Sequence, residues 1–403
     1  MTDAVATGAL LAAPDHDIPP STQLIVDVAR KHGVSPLKQF AEMVRLRYGR
    51  RKVNLQEYYS NQMYRPELSA RSKREFVGRK ANFDLNMRLA PRGYTASNRA
   101  LIADKMLYTA MMAQLGFRTT RTQAVVSRDR GYGDVPTLRN AEDLVAFMAN
   151  QAVYPIFCKP ETGSLSVGSV RIDAFDTASR EVVTLTGKRV SVEAFAKQVF
   201  AEYAHGFIIQ SALQQDPAIV DTIGDAVGSV RVVTILRDNM PEVLYTLWKI
   251  PSPKAMSDNY WQDGSMMAEV DRTTGTVLQC RRGNGPRQEH VSTHPVTGAA
   301  LVGMKIPHWD EVVELTTKAH MVFPRFGVFG WDIGITGDGP AIIECNDNPH
   351  HTLYQLATGN GILNADFVPV FDDAAARART IEARLKASEE KKGLMERLMP
   401  RRI

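Results

Sequence analysis

Residues 330–351, GWDIGITGDGPAIIECNDNPHH, place two carboxylates and an amide among residues that read as buried. VFGWDIGIT and PAIIECN are apolar, β-branched runs, and Gly337, Asp338 and Gly339 between them form a hairpin turn signal. With the turn centred on Asp338, Asp332 falls opposite Glu344. Asn346 joins them, because strand residues two apart share a face. Ile333, Ile335, Ile343 and Cys345 take the other face, which reads as core. Like charges directly opposite on a sheet repel, and buried carboxylates without partners cost more still. Two arrangements resolve the conflict. Either a hard cation sits between oxygen ligands, as Mg²⁺ prefers, or a Lys or Arg from elsewhere neutralises the pair.

A chain of 403 residues, 44% hydrophobic, buries a large core and is expected to form two or three domains. It contains no run of 18 apolar residues, so no membrane span is expected. The first twenty residues hold a short GALLAA run without a basic flank, which reads as a disordered lead-in rather than a signal peptide. Cys158, Cys280 and Cys345 lack CxxC spacing and are expected to be reduced thiols in a cytoplasmic protein.

Charge is unevenly spread. Residues 37–92 carry 14 Lys and Arg against 5 acids, and residues 377–403 carry 9 against 4. The stretch 93–376 has a net charge of −7. An acidic body thus bears two basic arms, suited to an acidic partner or an anionic membrane surface; solvated helix faces are the plainer reading. No nucleic-acid motif accompanies them, and Tyr58, Tyr59 and Tyr64 are too few for a stacking platform, so no nucleic-acid partner is expected.

Leu37, Phe40, Ala41 and Val44 fall at helical spacing, making PLKQFAEMVRLRY an amphipathic helix. A long helix is expected from the N-cap Ser97 to the stop signal Gly116, with Asp104 and Lys105 inside it. AEDLVAFMAN reads as a helix, YPIFCKP as a buried strand that Pro160 ends, residues 170–185 as a hairpin and VEAFAKQVFAEY as a helix. FIIQSAL, SVRVVTILRD and PEVLYTLWKI read as strands, and DEVVELTTKAHMVF as a helix. This is α/β of the α+β kind, with antiparallel sheet and no regular strand–helix alternation. The last thirty residues form a charged helix expected to protrude.

FCKPETGSLSVGSVRI ends a strand on Lys159 and follows it with a small, flexible loop. Gly163, Ser164, Ser166 and Gly168 let backbone N–H groups approach an anion, and Lys159 adds a point charge for a phosphate. No GK[ST] follows, so this is not a Walker A loop. His290 and His294, four apart, have no Cys or acid at ligand spacing, so a zinc pair is not expected.

Together, the helix with Asp104-Lys105 followed by GFRT, the KPETGSLSVG loop, and WDIGITGDGPAIIECNDNP resemble the ATP-grasp superfamily over roughly residues 97–365. QSALQQDPAI, SVRVVTI, DNYWQDGSMMAEVDRTTG, THPVTG and KIPHWDEV narrow the resemblance to its sugar-transfer-associated branch. The resemblance implies two β-rich lobes clasping ATP, with an extra N-terminal helical region. The boundaries it suggests are a lead-in at 1–20, a basic helical region at 21–95 and an N-terminal α/β part at 96–150. A lid subdomain at 151–215, a metal and substrate subdomain at 216–370 and a basic helical tail at 371–403 follow.

The resemblance also implies roles. Lys105 and Lys159 would contact phosphates or adenine, and the 163–168 loop would be the lid. Gln210 to Leu213 would be the hinge that reads the adenine edge, with Asp216 as the ribose contact. Asp332, Glu344 and Asn346 would hold one or two Mg²⁺, for which Mn²⁺ can substitute. Arg231 and Lys249 would face the γ-phosphate or a substrate carboxylate; Asp258, Asn259 and His294 would line the acceptor site. His350 and His351 would touch acceptor or phosphate, or pack the loop. Two departures stand out: Trp331 occupies the position before the metal aspartate where an arginine is common, and Gln210 stands where an acid is common.

The implied activity is a ligase joining a carboxylate to an amine, or related nucleophile, through an acyl phosphate, in polysaccharide, cell-envelope or secondary-metabolite synthesis. The alternatives are a phosphotransferase on a sugar or small molecule, and a non-catalytic ATP-binding partner of a glycosyltransferase. The intact metal triad argues against the last. A cytoplasmic protein, free or peripheral to a membrane, is expected.

Overall fold

The computed structural model describes residues 21–398, apart from 163–166, 254, 259–261 and 284; the expected lead-in at 1–20 lies outside them. Helices open the described chain: α1 (Ser21–His32), α2 (Pro36–Tyr48), α3 (Leu55–Ser60), α4 (Arg79–Met87), α5 (Ala96–Ala103) and α6 (Lys105–Gln114). Ser35 caps α2 by accepting from the Lys38 N–H, with Pro36 at the first position. Asn54 and Glu57 form a capping box on α3. Val28, Val34, Leu46, Tyr58, Tyr59 and Tyr64 build a small core for this region.

Two expectations change here. The helix placed at Ser97–Gly116 is broken at Asp104, whose ψ of 94° leaves the helical region while its side chain accepts from the Leu107 N–H. An aspartate competes for backbone donors and so starts a new helix more readily than it continues one. Thr95, not Ser97, precedes α5. The helix α2 forms as expected, but its apolar stripe faces solvent, and Gln39 and Leu46 turn inward instead. Gln39 is satisfied there: its Nε2 donates to the carbonyls of Ile25 and Val34, and its Oε1 accepts from Tyr59.

The strands and helices of the first lobe are β1 (Thr122–Val126), β2 (Thr137–Leu138), α7 (Ala141–Asn150), β3 (Ile156–Pro160), β4 (Val170–Asp176), β5 (Glu181–Thr184), β6 (Arg189–Ser191), α8 (Val192–Glu202) and β7 (Phe207–Ser211). Among the described residues its sheet runs β2-β1-β7-β3-β4-β5-β6, antiparallel except for β1 with β2. Leu144, Phe147, Phe195 and Val199 from α7 and α8 close its core against Ile156, Ile172 and Ile209.

The second lobe contains α9 (Pro217–Ile223), β8 (Val230–Arg237), β9 (Met240–Ile250), β10 (Met266–Val270), β11 (Val277–Arg282), β12 (Glu289–His290), α10 (Trp309–His320), β13 (Val328–Thr336), β14 (Gly339–Asn346), α11 (Thr352–Thr358) and α12 (Phe367–Leu398). Its sheet runs β12-β11-β10-β9-β8-β13-β14. One face, with Val230, Val232, Trp248, Trp331 and Ile333, packs on α10 and α6. The other carries Val233, Ile235, Leu247 and Val328 against α4, α11 and α12. Along that second face β8, β9 and β13 change character, from Val233, Leu247 and Val328 to Arg231, Lys249 and Asp332. Alternation by two keeps these charges on the face they share with the apolar residues.

The hairpin β13–β14 pairs Asp332 with Glu344 and Gly330 with Asn346, as the sequence indicates. The route differs. Thr336 pairs with Gly339, so Gly337 and Asp338 make a two-residue turn, and a bulge between Asp332 and Ile333 restores the register. Two residues of β14 therefore face one of β13. Ile342 takes the core place expected for Ile343, and Ile343 turns to a cavity wall.

The terminal helix α12 does not simply protrude. Phe371, Ala374, Ala375 and Ala378, at i, i+3, i+4 and i+7, are buried. Further along, Glu389 Oε2 accepts from the Tyr94 hydroxyl at 2.7 Å. Among the described residues no helix is long and apolar enough to cross a membrane.

Candidate active site

A cavity of ≈ 240 Å³ lies between the two sheets. The first lobe supplies Phe157 and Lys159 from β3, Arg171 from β4, Gln210 from β7 and the exit segment Ala212-Leu213. The second supplies Arg231 from β8, Lys249 from β9, Asp332 from β13, and Ile343, Glu344 and Asn346 from β14. Lys105 and Asp258 complete the polar wall. Asp258 is fixed by the Ser229 hydroxyl, which donates to its Oδ2.

Its electrostatics centre on Asp332. Arg231 sits directly across from it on β8, and Nε and Nη2 donate to Oδ1 at 2.5 Å and Oδ2 at 2.9 Å. Lys249 Nζ lies 3.3 Å from Asp332 and 2.9 Å from Asp258. Burial opposes the charges of Asp332, Arg231 and Lys249, but mutual attraction wins. Burial works to raise the Asp332 pKa, yet Arg231 and Lys249 hold it down at about 2. Burial likewise opposes the charge on Arg231 and Lys249, and their carboxylate neighbours still raise both pKa values. Lys159 has no such close partner among the described residues. Burial lowers its pKa to about 8, with the charge of Lys105 adding to the fall and Glu344 and Asp332 resisting it.

The neutralising arginine foreseen as one of two possibilities is therefore present for Asp332. Glu344 differs: its carboxylate makes no hydrogen bond or ion pair with any described residue. Asn346 Nδ2 is buried without a partner among the described residues, and exchanging the amide atoms would leave an orphaned oxygen there. No three His, Cys, Asp or Glu side chains cluster as a metal site among the described residues. The available set is Glu344, the Asn346 amide and Asp332, all oxygen donors. With two members unsatisfied it fits a hard divalent cation, which would share Asp332 with Arg231.

Lys105, Lys159, Gln210, Leu213, Arg231, Lys249, Asp258, Asp332, Glu344 and Asn346 thus converge on one cavity wall. Gly168 is buried beside it with φ +80°, and a Cβ there would meet the Tyr203 hydroxyl at 2.5 Å. Gly163, Ser164, Ser166 and Asn259 lie outside the described residues. Asp216 and His294 do not line the cavity. Asp216 caps α9 and approaches His308 at 3.5 Å, while His294 is buried with its Nδ1 beside the Thr297 hydroxyl.

Sequence reasoning missed Arg171 and Ser229, whose signals were polar residues inside the runs SVRI and SVRV. It also left His350 and His351 open. His350 lines the cavity. His351 is a structural latch: Nδ1 is 2.9 Å from the Tyr245 hydroxyl and Nε2 is 2.8 Å from Asn86 Oδ1. Asn82 and Asn86 also donate to the Pro349 carbonyl, so α4 fastens the loop that leaves β14. Burial, with the nearby charges of His350 and Arg231, lowers the His351 pKa to about 3.

The Trp331 departure now has an explanation. Its indole points into the core and donates to Thr234 Oγ1, so the cation beside Asp332 comes from the neighbouring strand. Gly330 leaves room for it: a Cβ there would lie 3.3 Å from Arg231 Nη1.

Comparison with curated proteins finds no match. Among solved structures, an L-amino acid ligase from Bacillus licheniformis is 13% identical, with TM-score 0.34 over 64% of this chain and 43% of that one. The D-alanine-D-alanine ligase from Coxiella burnetii is 11% identical, with TM-score 0.38 over 73% of this chain and 62% of that one. The biotin carboxylase domain of Hydrogenobacter thermophilus 2-oxoglutarate carboxylase, bound to MgADP, is 11% identical, with TM-score 0.34 over 66% and 47%. The chain spans less than two thirds of each of these relatives, and at these scores the likeness carries no argument about function. The sequence match is more specific: the model of the sugar-transfer associated ATP-grasp proteins matches residues 84–367. With more than half its length matched, the chain belongs to the sugar-transfer associated ATP-grasp family.

Proposed function

We propose that the cavity binds ATP with Mg²⁺ and that the protein is an ADP-forming ligase, joining a carboxylate to an amine or related nucleophile. The observation that carries this reading is the meeting in one cavity of Lys159, Arg231 and Lys249 with Glu344, which has no hydrogen-bond or ion-pair partner among the described residues, and Asn346, whose side-chain amide is not satisfied there. Family membership supports ATP as the nucleotide, and the sugar-transfer association favours a sugar-linked substrate in polysaccharide or cell-envelope synthesis.

Phe157, Leu213 and Ile343 provide the apolar walls for the base. Gly334 lets two of them approach, since a Cβ there would lie 2.6 Å from Leu213 Cδ1 and 3.3 Å from Ile343 Cδ1. The Ala212 N–H is spent on the Pro155 carbonyl, whereas the Leu213 N–H has no partner among the described residues and can donate to an adenine edge. Lys105 and Lys159, both on the cavity wall, meet the phosphates. Glu344, Asn346 and Asp332 would hold Mg²⁺, which when bound would supply charge neutralisation at the phosphates.

Arg231 and Lys249 attract and orient the substrate carboxylate against the γ-phosphate. A carboxylate oxygen bonds to the γ-phosphorus as the bond to the β-phosphate oxygen breaks, releasing ADP and an acyl phosphate. The amine nitrogen then bonds to the acyl carbon, inorganic phosphate leaves, and the nitrogen loses a proton. Asp258, held by Ser229 and Lys249, faces the acceptor.

ADP formation from MgATP, measured over a panel of carboxylates with and without amines, tests this. Sustained turnover is expected only when both are present. Turnover with a single hydroxyl acceptor would instead mark a phosphotransferase and overturn the ligase reading.

A further inference from the structure

The outward face of α2 is apolar and has no partner among the described residues. Leu37, Phe40, Val44 and Tyr48 are 78%, 62%, 40% and 82% exposed. With exposed Ala41 they follow i, i+3, i+4, i+7 and i+11, one continuous stripe on a helix. Helical geometry sets Lys38 and Arg45 along one flank of the stripe and Arg47 along the other. All three are exposed, and none makes an ion pair among the described residues.

The acid of this helix faces away. Glu42 accepts two hydrogen bonds from Lys73 Nζ, at 2.7 and 2.8 Å, and one from the Tyr58 hydroxyl at 2.8 Å. The outward surface is therefore apolar in the middle, cationic at both edges and free of negative charge. Arg50 continues the basic edge beyond the helix end. The helix is anchored from behind by Gln39 and Leu46, so the stripe is not needed for its folding.

We propose that α2 docks the protein onto an anionic lipid bilayer, lying in the interface plane. An apolar stripe bordered by Lys and Arg suits this position: the ring and leucine side chains enter the acyl boundary, and the flanking cations reach the lipid phosphates along their own alkyl stems. Charge complementarity selects this occupant. A second copy of the chain would bring three like charges against three like charges, because a twofold interface meets itself. An acidic protein could satisfy the edges but has no feature here to recognise it.

Flotation of the full-length protein with phosphatidylcholine–phosphatidylglycerol vesicles tests this, with pure phosphatidylcholine vesicles as the comparison. Binding is expected to the anionic vesicles and to weaken as salt rises, because the edge charges are screened. L37D/F40D should lower the bound fraction at least about tenfold, with melting temperature and ATP turnover unchanged. R45E/R47E should remove the preference for anionic lipid. No binding by the wild-type protein, or equal binding by L37D/F40D, would overturn the proposal. So would L37D/F40D converting a dimer to a monomer, which would place a second copy on the stripe. A lower melting temperature for L37D/F40D would show that the chain itself covers the stripe, and would also overturn it.

Discussion

Arg231 and Asp332 form a two-pronged ion pair across adjacent strands, at 2.5 and 2.9 Å, with both side chains buried in the wall of the cavity. The pair explains why a sheet can place Asp332 opposite Glu344 without collapsing. One carboxylate is neutralised from the next strand, and the other has no hydrogen-bond or ion-pair partner among the described residues. Replacing Arg231 by Ala leaves Asp332 with Lys249 alone, 3.3 Å away. The expected cost is about 3 kcal/mol in urea denaturation, and the double variant R231A/D332A should recover part of it. The carboxylate side of the pair fixes the pH window. Asp332 is held below its unfolded value, so its stabilisation is complete above the ordinary carboxylate range and is lost as pH falls toward about 2.

Glu344→Gln separates function from folding. Glu344 has no ion pair among the described residues, and it faces Asp332 across the hairpin. Removing its charge relieves repulsion while weakening the oxygen-donor set. The variant is expected to melt at or above the wild-type temperature without Mg²⁺ and to lose ATP turnover by at least about 100-fold. A variant with full turnover would remove Glu344 from the metal site.

Lys159 should give the enzyme an alkaline limb. Its pKa falls to about 8, chiefly through burial, so the free protein loses, as pH passes that value, the charge that the proposed function sets against the phosphates. kcat/KM for MgATP is expected to decline above pH 8, and Lys159→Arg, which stays charged, should lack that decline. Stability runs the other way. The buried charge costs stability below pH 8, and the native state gains relative to the unfolded one between about 8 and the ordinary 10.5. The same slope in both proteins would assign the limb to another group.

The terminal helix gives a graded truncation series. Ending the chain at Asp373 removes Ala374, Ala375 and Ala378 from the core, and the melting temperature should fall clearly. Ending it at Lys391 keeps them and the bond from Tyr94 to Glu389, and the melting temperature should stay near the wild-type value. Differential scanning calorimetry of the two truncations distinguishes them. Equal melting would show that the helix contributes nothing to the body.

Much of the site was legible because its signals are local. A turn between two apolar runs placed Asp332, Glu344 and Asn346 on one face, and a strand ending in lysine placed Lys159. What was illegible depends on distant residues. Nothing near Asp332 announces that Arg231 lies beside it, because strand order in a sheet is set by packing. The Asn82–Asn86–His351–Tyr245 latch joins three separate segments, so no spacing could reveal it. The bulge that turns Ile343 into the cavity also escaped, since alternation alone cannot locate an extra residue. For α2 the periodicity was readable but its direction was not. A stripe shows that a helix has an apolar face, not whether the body or the exterior receives it.

Calorimetric titration with the non-hydrolysable nucleotide AMPPNP and Mg²⁺ tests the ATP-binding cavity most directly, because it needs no knowledge of the substrates. One binding site is expected in the wild-type protein, with affinity strongly reduced in Lys159→Ala and Mg²⁺ dependence lost in Glu344→Gln. Absence of binding by the wild-type protein, or equal affinity in Lys159→Ala, would contradict the placement of the phosphates between the two sheets.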